Sequence, residues 1–181
     1  DSRSSEVAVA VEQLVEPVAP TEELPAIPLA DAVTAAAGTA EPLSLLGTEI
    51  APGTAQRLSW SATELFEGVP VSTPVLVVNG EKPGPVLCLT AAIHGDELNG
   101  IEMVRRVMHD MVQDRLAGTI IGVPIVNVQG FRRGSRYLPD RRDLNRSFPG
   151  SPKGSMAARV AHRLMSEVAA ACDYGIDLHS A

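Results

Sequence analysis

No apolar run in this sequence approaches the roughly 20 residues that a helix needs to cross a bilayer, so no helical membrane span is expected. Positive charge is also short. Fifteen Lys and Arg stand against 22 Asp and Glu, a formal net charge of -7, which removes the electrostatic footprint of a nucleic-acid binder. Cysteine is nearly absent. Cys88 and Cys172 each sit beside apolar neighbours without the partner spacing of a zinc knuckle, and both are read as buried free thiols rather than a disulfide. Aromatic residues are missing from residues 1–42, where Ala, Val, Glu, Pro and Thr predominate without alternation or helical period. That composition predicts a disordered arm or linker, in which Pro17, Pro20, Pro25 and Pro28 keep any helix begun over Val7–Val15 short. A first residue of Asp rather than Met fits a processed or trimmed start, whether a removed export signal or a fragment. The proline-rich arm leans towards an exported protein without excluding a cytoplasmic one.

What is present is a chain of 181 residues, 45% hydrophobic, enough for one modest core, expected over residues 43–181 with its clearest signal from Trp60 onward. Val69–Val78 and Pro85–Ala92 read as strands, bounded by turns at Asn79-Gly80 and Pro83-Gly84. The second run is apolar on consecutive positions, as expected of a strand covered on both faces. Ile101, Val104, Val107 or Met108, and Met111 recur at helical spacing. Gly118–Val128 predicts a third strand, and a long polar loop follows from Gln129 to about Lys153. Met156, Val160, Leu164 and Val168 predict a second helix ending near Cys172, and Tyr174–Leu178 a last strand. The order predicts a layered α/β domain with a mixed sheet. A helix-flanked sheet rarely finishes on such a strand, so the domain is expected to be incomplete at its C-terminus.

His94 and Glu97 lie three apart at the end of a buried strand, where one helical turn of backbone puts both side chains on one side. Imidazole and carboxylate together suit zinc, whose catalytic sites take three protein ligands and leave a position for water. His179 supplies the third, because it too ends an apolar strand, and functional side chains of open α/β sheets gather at carboxyl ends of strands. A His-x-x-Glu pair alone is a weak signal; the small residues around it, the strand-end placement of both histidines and the polar loop between them strengthen it. His109 and His162 sit inside helices without a second ligand and read as surface or boundary residues. In the loop, Arg132, Arg133, Arg136, Arg141, Arg142 and Arg146 crowd beside the expected cation. Either they hold something anionic, a carboxylate gripped through two parallel hydrogen bonds, or they form a solvated basic loop paired with Asp140 and Asp143.

The strings HGDELNG (94–100), RDLNRSFPG (142–150) and IDLH (176–179), in that order, resemble the succinylglutamate desuccinylase and aspartoacylase family within the wider zinc carboxypeptidase clan. The resemblance covers roughly Trp60–Ala181. It implies a zinc carboxypeptidase-like α/β/α fold in three layers, with Zn2+ bound by His94, Glu97 and His179. It further implies that Asn145 and Arg146 grip a substrate carboxylate, that Arg136 polarises the scissile carbonyl, and that Asp143 supports a ligating histidine, although a loop-capping role for Asp143 stays open. The family's general base is a glutamate well downstream of the third ligand, so residues up to Ala181 are expected to bind zinc without turnover. The implied reaction is amide hydrolysis of an N-acyl amino acid or short peptide. A metallocarboxypeptidase and a non-catalytic metal-binding protein are the alternatives.

Overall fold

The computed structural model of the chain describes residues 40–64 and 70–180, so the arm expected over residues 1–42 lies almost wholly outside the described residues. Regular structure begins with a small antiparallel hairpin, β1 (Leu43–Leu45) and β2 (Thr48–Ile50). It continues through β3 (Thr54–Glu64), β4 (Pro70–Asn79), β5 (Lys82–Ala91), α1 (Asn99–Asp110), β6 (Ala117–Val123), α2 (Val128–Arg132), α3 (Met156–Glu167) and β7 (Tyr174–Leu178). The hairpin and β3 are absent from the sequence reading. In β3 only Leu58, Trp60 and Ala62 alternate among polar neighbours, the weak pattern of an edge strand with one wet side. The strand expected over Gly118–Val128 stops at Val123, because Pro124 has no N–H for the ladder, and α2 opens at Val128 inside what reads as the polar loop.

The larger sheet has the order β3-β4-β6-β5-β7. β3, β4 and β6 pair antiparallel, whereas β6, β5 and β7 run parallel, so the sheet is mixed. Consecutive apolar residues on the inner strands serve two cores. Val77, Cys88, Ile121 and Val123 face the cluster built with Val160, Ala161 and Leu164 of α3. Val78, Leu89, Ala91 and Ile120 face Val104 and Met108 of α1. One helix on each face makes three layers, and this explains why β5 and β6 read as unbroken hydrophobic runs. Trp60, fully buried, ties β3 to α3, donating from Nε1 to Glu167 at 2.8 Å.

The two cysteines are a correction to the sequence reading: Cys88 of β5 and Cys172 are joined as a disulfide, their Cα atoms 5.9 Å apart. They lie 84 residues apart in sequence, and only the return of the chain onto β5 brings them together. Asp173 N–H donates to the Val86 carbonyl at 2.9 Å and Val86 N–H to the Asp173 carboxylate at 2.8 Å, which fixes this approach.

Gly100, near the start of α1, is what lets that helix seat on the parallel strands. A Cβ there would lie 2.9 Å from Ala91 Cβ and 3.0 Å from Leu178 Cβ. Gly100→Val should therefore destabilise the fold by about 1–3 kcal/mol, the usual cost of overpacking a tight contact. Urea unfolding checks it; an unchanged midpoint would mean that α1 shifts freely on the sheet.

Candidate metal centre

The parallel strands deliver the candidate ligands to one level. Thr90 pairs in register with Asp177 and Ala91 with Leu178, so the residues just beyond both strands emerge side by side at the carboxyl end of the sheet. From β5 the chain turns sharply, with Ala92 at φ 50° and Glu97 N–H closing back onto the His94 carbonyl at 3.2 Å. Gly95 permits this path, since a Cβ there would strike the backbone of Gly130 and Phe131. From β7, His179 follows Leu178 directly.

One ligand atom from each of His94, Glu97 and His179 lies within 4.8 Å of the others. His94 Nδ1 is 2.7 Å from Glu97 Oε1 and His179 Nδ1 is 2.9 Å from Glu97 Oε2, so both rings turn the same nitrogen towards one carboxylate. The Ser180 N–H donates to Glu97 Oε2 at 3.0 Å. His94 is buried, while the His179 side chain is 34% exposed. Two imidazole nitrogens and a carboxylate oxygen converging at the wet end of a sheet form a donor set that suits zinc and leaves a side open.

The far nitrogens are also engaged. His94 Nε2 lies 3.0 Å from Asp143 Oδ1, and His179 Nε2 lies 2.6 Å from Asp177 Oδ2. The same Asp143 Oδ1 accepts from the Asn145 N–H at 2.9 Å and caps the short turn Leu144–Arg146, so the loop cap and the contact with His94 coexist. Arg136 reaches over the group, 3.2 Å from Glu97 Oε1 and 3.6 Å from Asp143 Oδ2. Burial pushes the Glu97 carboxyl up, but the Ser180 N–H, His94 and His179 outweigh it and hold the group below its ordinary value. Burial likewise acts to raise Asp143, and His94, the Asn145 N–H and Arg136 overcome it.

Asn145 and Arg146 sit on the turn that Asp143 caps, both exposed. Asn145 lines a cavity of about 250 Å³ together with Thr90, Ile93, Phe148, Met165 and Asp177. Arg146 makes no ion pair among the described residues. Arg132, Arg133, Arg141 and Arg142 are exposed, and His109 and His162 stand on α1 and α3. Two residues escaped the sequence reading. Asn127 is fully buried and reaches from its side chain to the Ile93 carbonyl at 3.3 Å, the Arg136 carbonyl at 3.4 Å and the Gly130 N–H at 2.8 Å, so it ties the His94 turn to the arginine loop. Asp177 is the other, and its signal was its place two residues before His179.

The family model of the succinylglutamate desuccinylase/aspartoacylase catalytic domain matches residues 83–181, more than half of the chain, and the chain belongs to that family. An N-alpha-acetyl-L-2,4-diaminobutyric acid deacetylase of Halomonas elongata is 38% identical over 112 residues, 61% of this chain and 32% of that protein. A succinylglutamate desuccinylase of Burkholderia orbicola is 35% identical over 105 residues, 51% of this chain and 30% of its own length. The crystal structure of a succinylglutamate desuccinylase/aspartoacylase from Rhodobacter sphaeroides shares the fold with a TM-score of 0.63 at 30% identity, covering 70% of this chain and 40% of that one. The chain spans about a third of the length of the curated relatives it matches. No helix among the described residues is long and apolar enough to cross a membrane.

Proposed function

We propose that this chain carries the metal-binding part of a zinc-dependent deacylase that hydrolyses the amide bond of an N-acyl amino acid. The observation that carries the reading is the convergence of His94 Nδ1, His179 Nδ1 and the Glu97 carboxylate. Zinc held by these three would supply Lewis-acid polarisation of the acyl carbonyl and a nucleophilic water at neutral pH. Arg136, beside Glu97 and Asp143, would supply a guanidinium to stabilise the negative charge that grows on the carbonyl oxygen during attack. Asn145 and Arg146 hold the substrate's free carboxylate, a role supported by their place on the turn that Asp143 caps and by Asn145 lining the cavity that Asp177 also lines. The names of the two relatives, a deacetylase of an N-acetyl diamino acid and a desuccinylase of succinylglutamate, support an N-acyl amino acid as the substrate class.

Attack by water also needs a proton acceptor and, later, a donor to the departing amine. Among the described residues, the carboxylates hydrogen-bonded to the two histidines are already engaged: Glu97 by both histidines, Asp143 by His94 and Arg136, Asp177 by Thr90 and His179. The reading therefore assigns proton transfer to a carboxylate other than these. The test uses the protein at its full gene-encoded length, following release of free amine from N-acetyl and N-succinyl amino acids. Release that stops on chelation and returns with zinc is expected. Release only from peptides with a free C-terminus would make it a carboxypeptidase, and release from neither would leave a metal-binding protein without turnover.

A further inference from the structure

The geometry points to Asp177 as a positioning residue for His179, a role that rests on the metal site proposed above. Asp177 and His179 lie two apart at the end of β7, so their side chains leave the strand on the same side. Asp177 Oδ2 accepts from His179 Nε2 at 2.6 Å, and Asp177 Oδ1 accepts from the Thr90 hydroxyl at 2.7 Å. Thr90 is the register partner of Asp177 on β5, so the carboxylate is clamped across two paired strands before it meets the imidazole. With Nε2–H donated to Asp177, the lone pair of a neutral ring lies on Nδ1, the nitrogen that faces Glu97. The same arrangement recurs on the other side of the site, where Asp143 takes His94 Nε2 and leaves His94 Nδ1 facing Glu97. The two histidines are thus oriented by separate carboxylates, one on a capped loop and one on a strand.

Such a partner does two things for a ligating imidazole: it selects the tautomer with the correct nitrogen free, and it stops the ring rotating. The need is greater at His179 than at His94. The His94 side chain is enclosed, at 2% exposure, and packing already restrains it, whereas His179 is 34% exposed and depends on its hydrogen bonds for orientation. Thr90 acts one step further out, by preventing the Asp177 carboxylate from turning away.

The test is zinc affinity of the chain, read by competition with a chelator of known affinity, together with the ring N–H proton signal of His179 in the zinc-loaded protein. Asp177→Leu should weaken zinc by about 10- to 100-fold, the usual effect of losing a ligand's hydrogen-bond partner, and should abolish the hydrogen-bonded Nε2–H signal. Asp177→Asn keeps an oxygen acceptor in place and should recover part of the affinity. Thr90→Val, which leaves the carboxylate intact, should cost several-fold and shift the same signal, and it carries the test should the leucine variant fail to fold. Zinc binding by folded Asp177→Leu within twofold of wild type, or an unchanged signal and affinity in Thr90→Val, would overturn the assignment. Failure of the wild-type chain to bind zinc would instead sink the metal site itself, so the two failures are distinct.

Discussion

Replacing His179 by alanine, or His94 by alanine, should lower zinc affinity by more than the roughly 10- to 100-fold lost when only an outer hydrogen-bond partner is removed. Each change deletes one of the three proposed donors, and a site with two protein ligands holds zinc poorly. The variants differ in their cost to the fold. His179 is 34% exposed and stands at the end of a strand, so its removal leaves little cavity. His94 is buried at 1% exposure between Glu97 and Asp143, so His94→Ala should also lower the unfolding temperature, leaving Asp143 without its imidazole partner. Chelator competition and thermal unfolding on the same samples separate the two effects. If His179→Ala keeps wild-type zinc affinity, the metal is not held by this trio, whatever His94→Ala does.

The features legible in the sequence were those with a local signal. The strands β4, β5 and β7 and the helices α1 and α3 announced themselves by runs of Val and Leu or by apolar residues at helical spacing, and each lies close to where the pattern placed it. His94, Glu97 and His179 could be named together because two strands end at them, and strand ends in an α/β sheet share one edge. What stayed hidden depends on which strand neighbours which. Cys88 and Cys172 look like two unrelated small apolar residues until β7 is laid beside β5. The Thr90 hydroxyl and the Asp177 carboxylate meet only through that same register, 87 residues apart. Asn127 looks like a polar residue at a loop start, and its value lies in reaching three segments at once. β3 was missed for a different reason: an edge strand needs only one buried face, and three alternating apolar residues among Gln, Arg, Ser and Thr carry little periodic signal.

A free carboxylate on the ligand should matter through one residue, Arg146. In the zinc-loaded wild-type chain an N-acyl amino acid should bind more tightly than its methyl ester by about 2–5 kcal/mol, the loss expected when one partner of a desolvated, hydrogen-bonded ion pair is removed. In Arg146→Ala the acid should fall to the affinity of the ester, and the ester should be little changed. The placement supports this. Arg146 follows Asn145 on the turn capped by Asp143, and the Asp143 carboxylate that fixes the turn is the one that holds His94 at 3.0 Å. Asp143 thus links the turn that carries Arg146 to His94, and Arg146 makes no ion pair among the described residues, unlike Arg136, which sits against Glu97 and Asp143. Calorimetric titration of acid and ester into both proteins gives the four affinities needed for a double-difference. An acid and ester that keep their wild-type difference in Arg146→Ala would assign the carboxylate to another of the exposed arginines in the loop. Equal weakening of both ligands would mean that Arg146 shapes the turn rather than reading the charge.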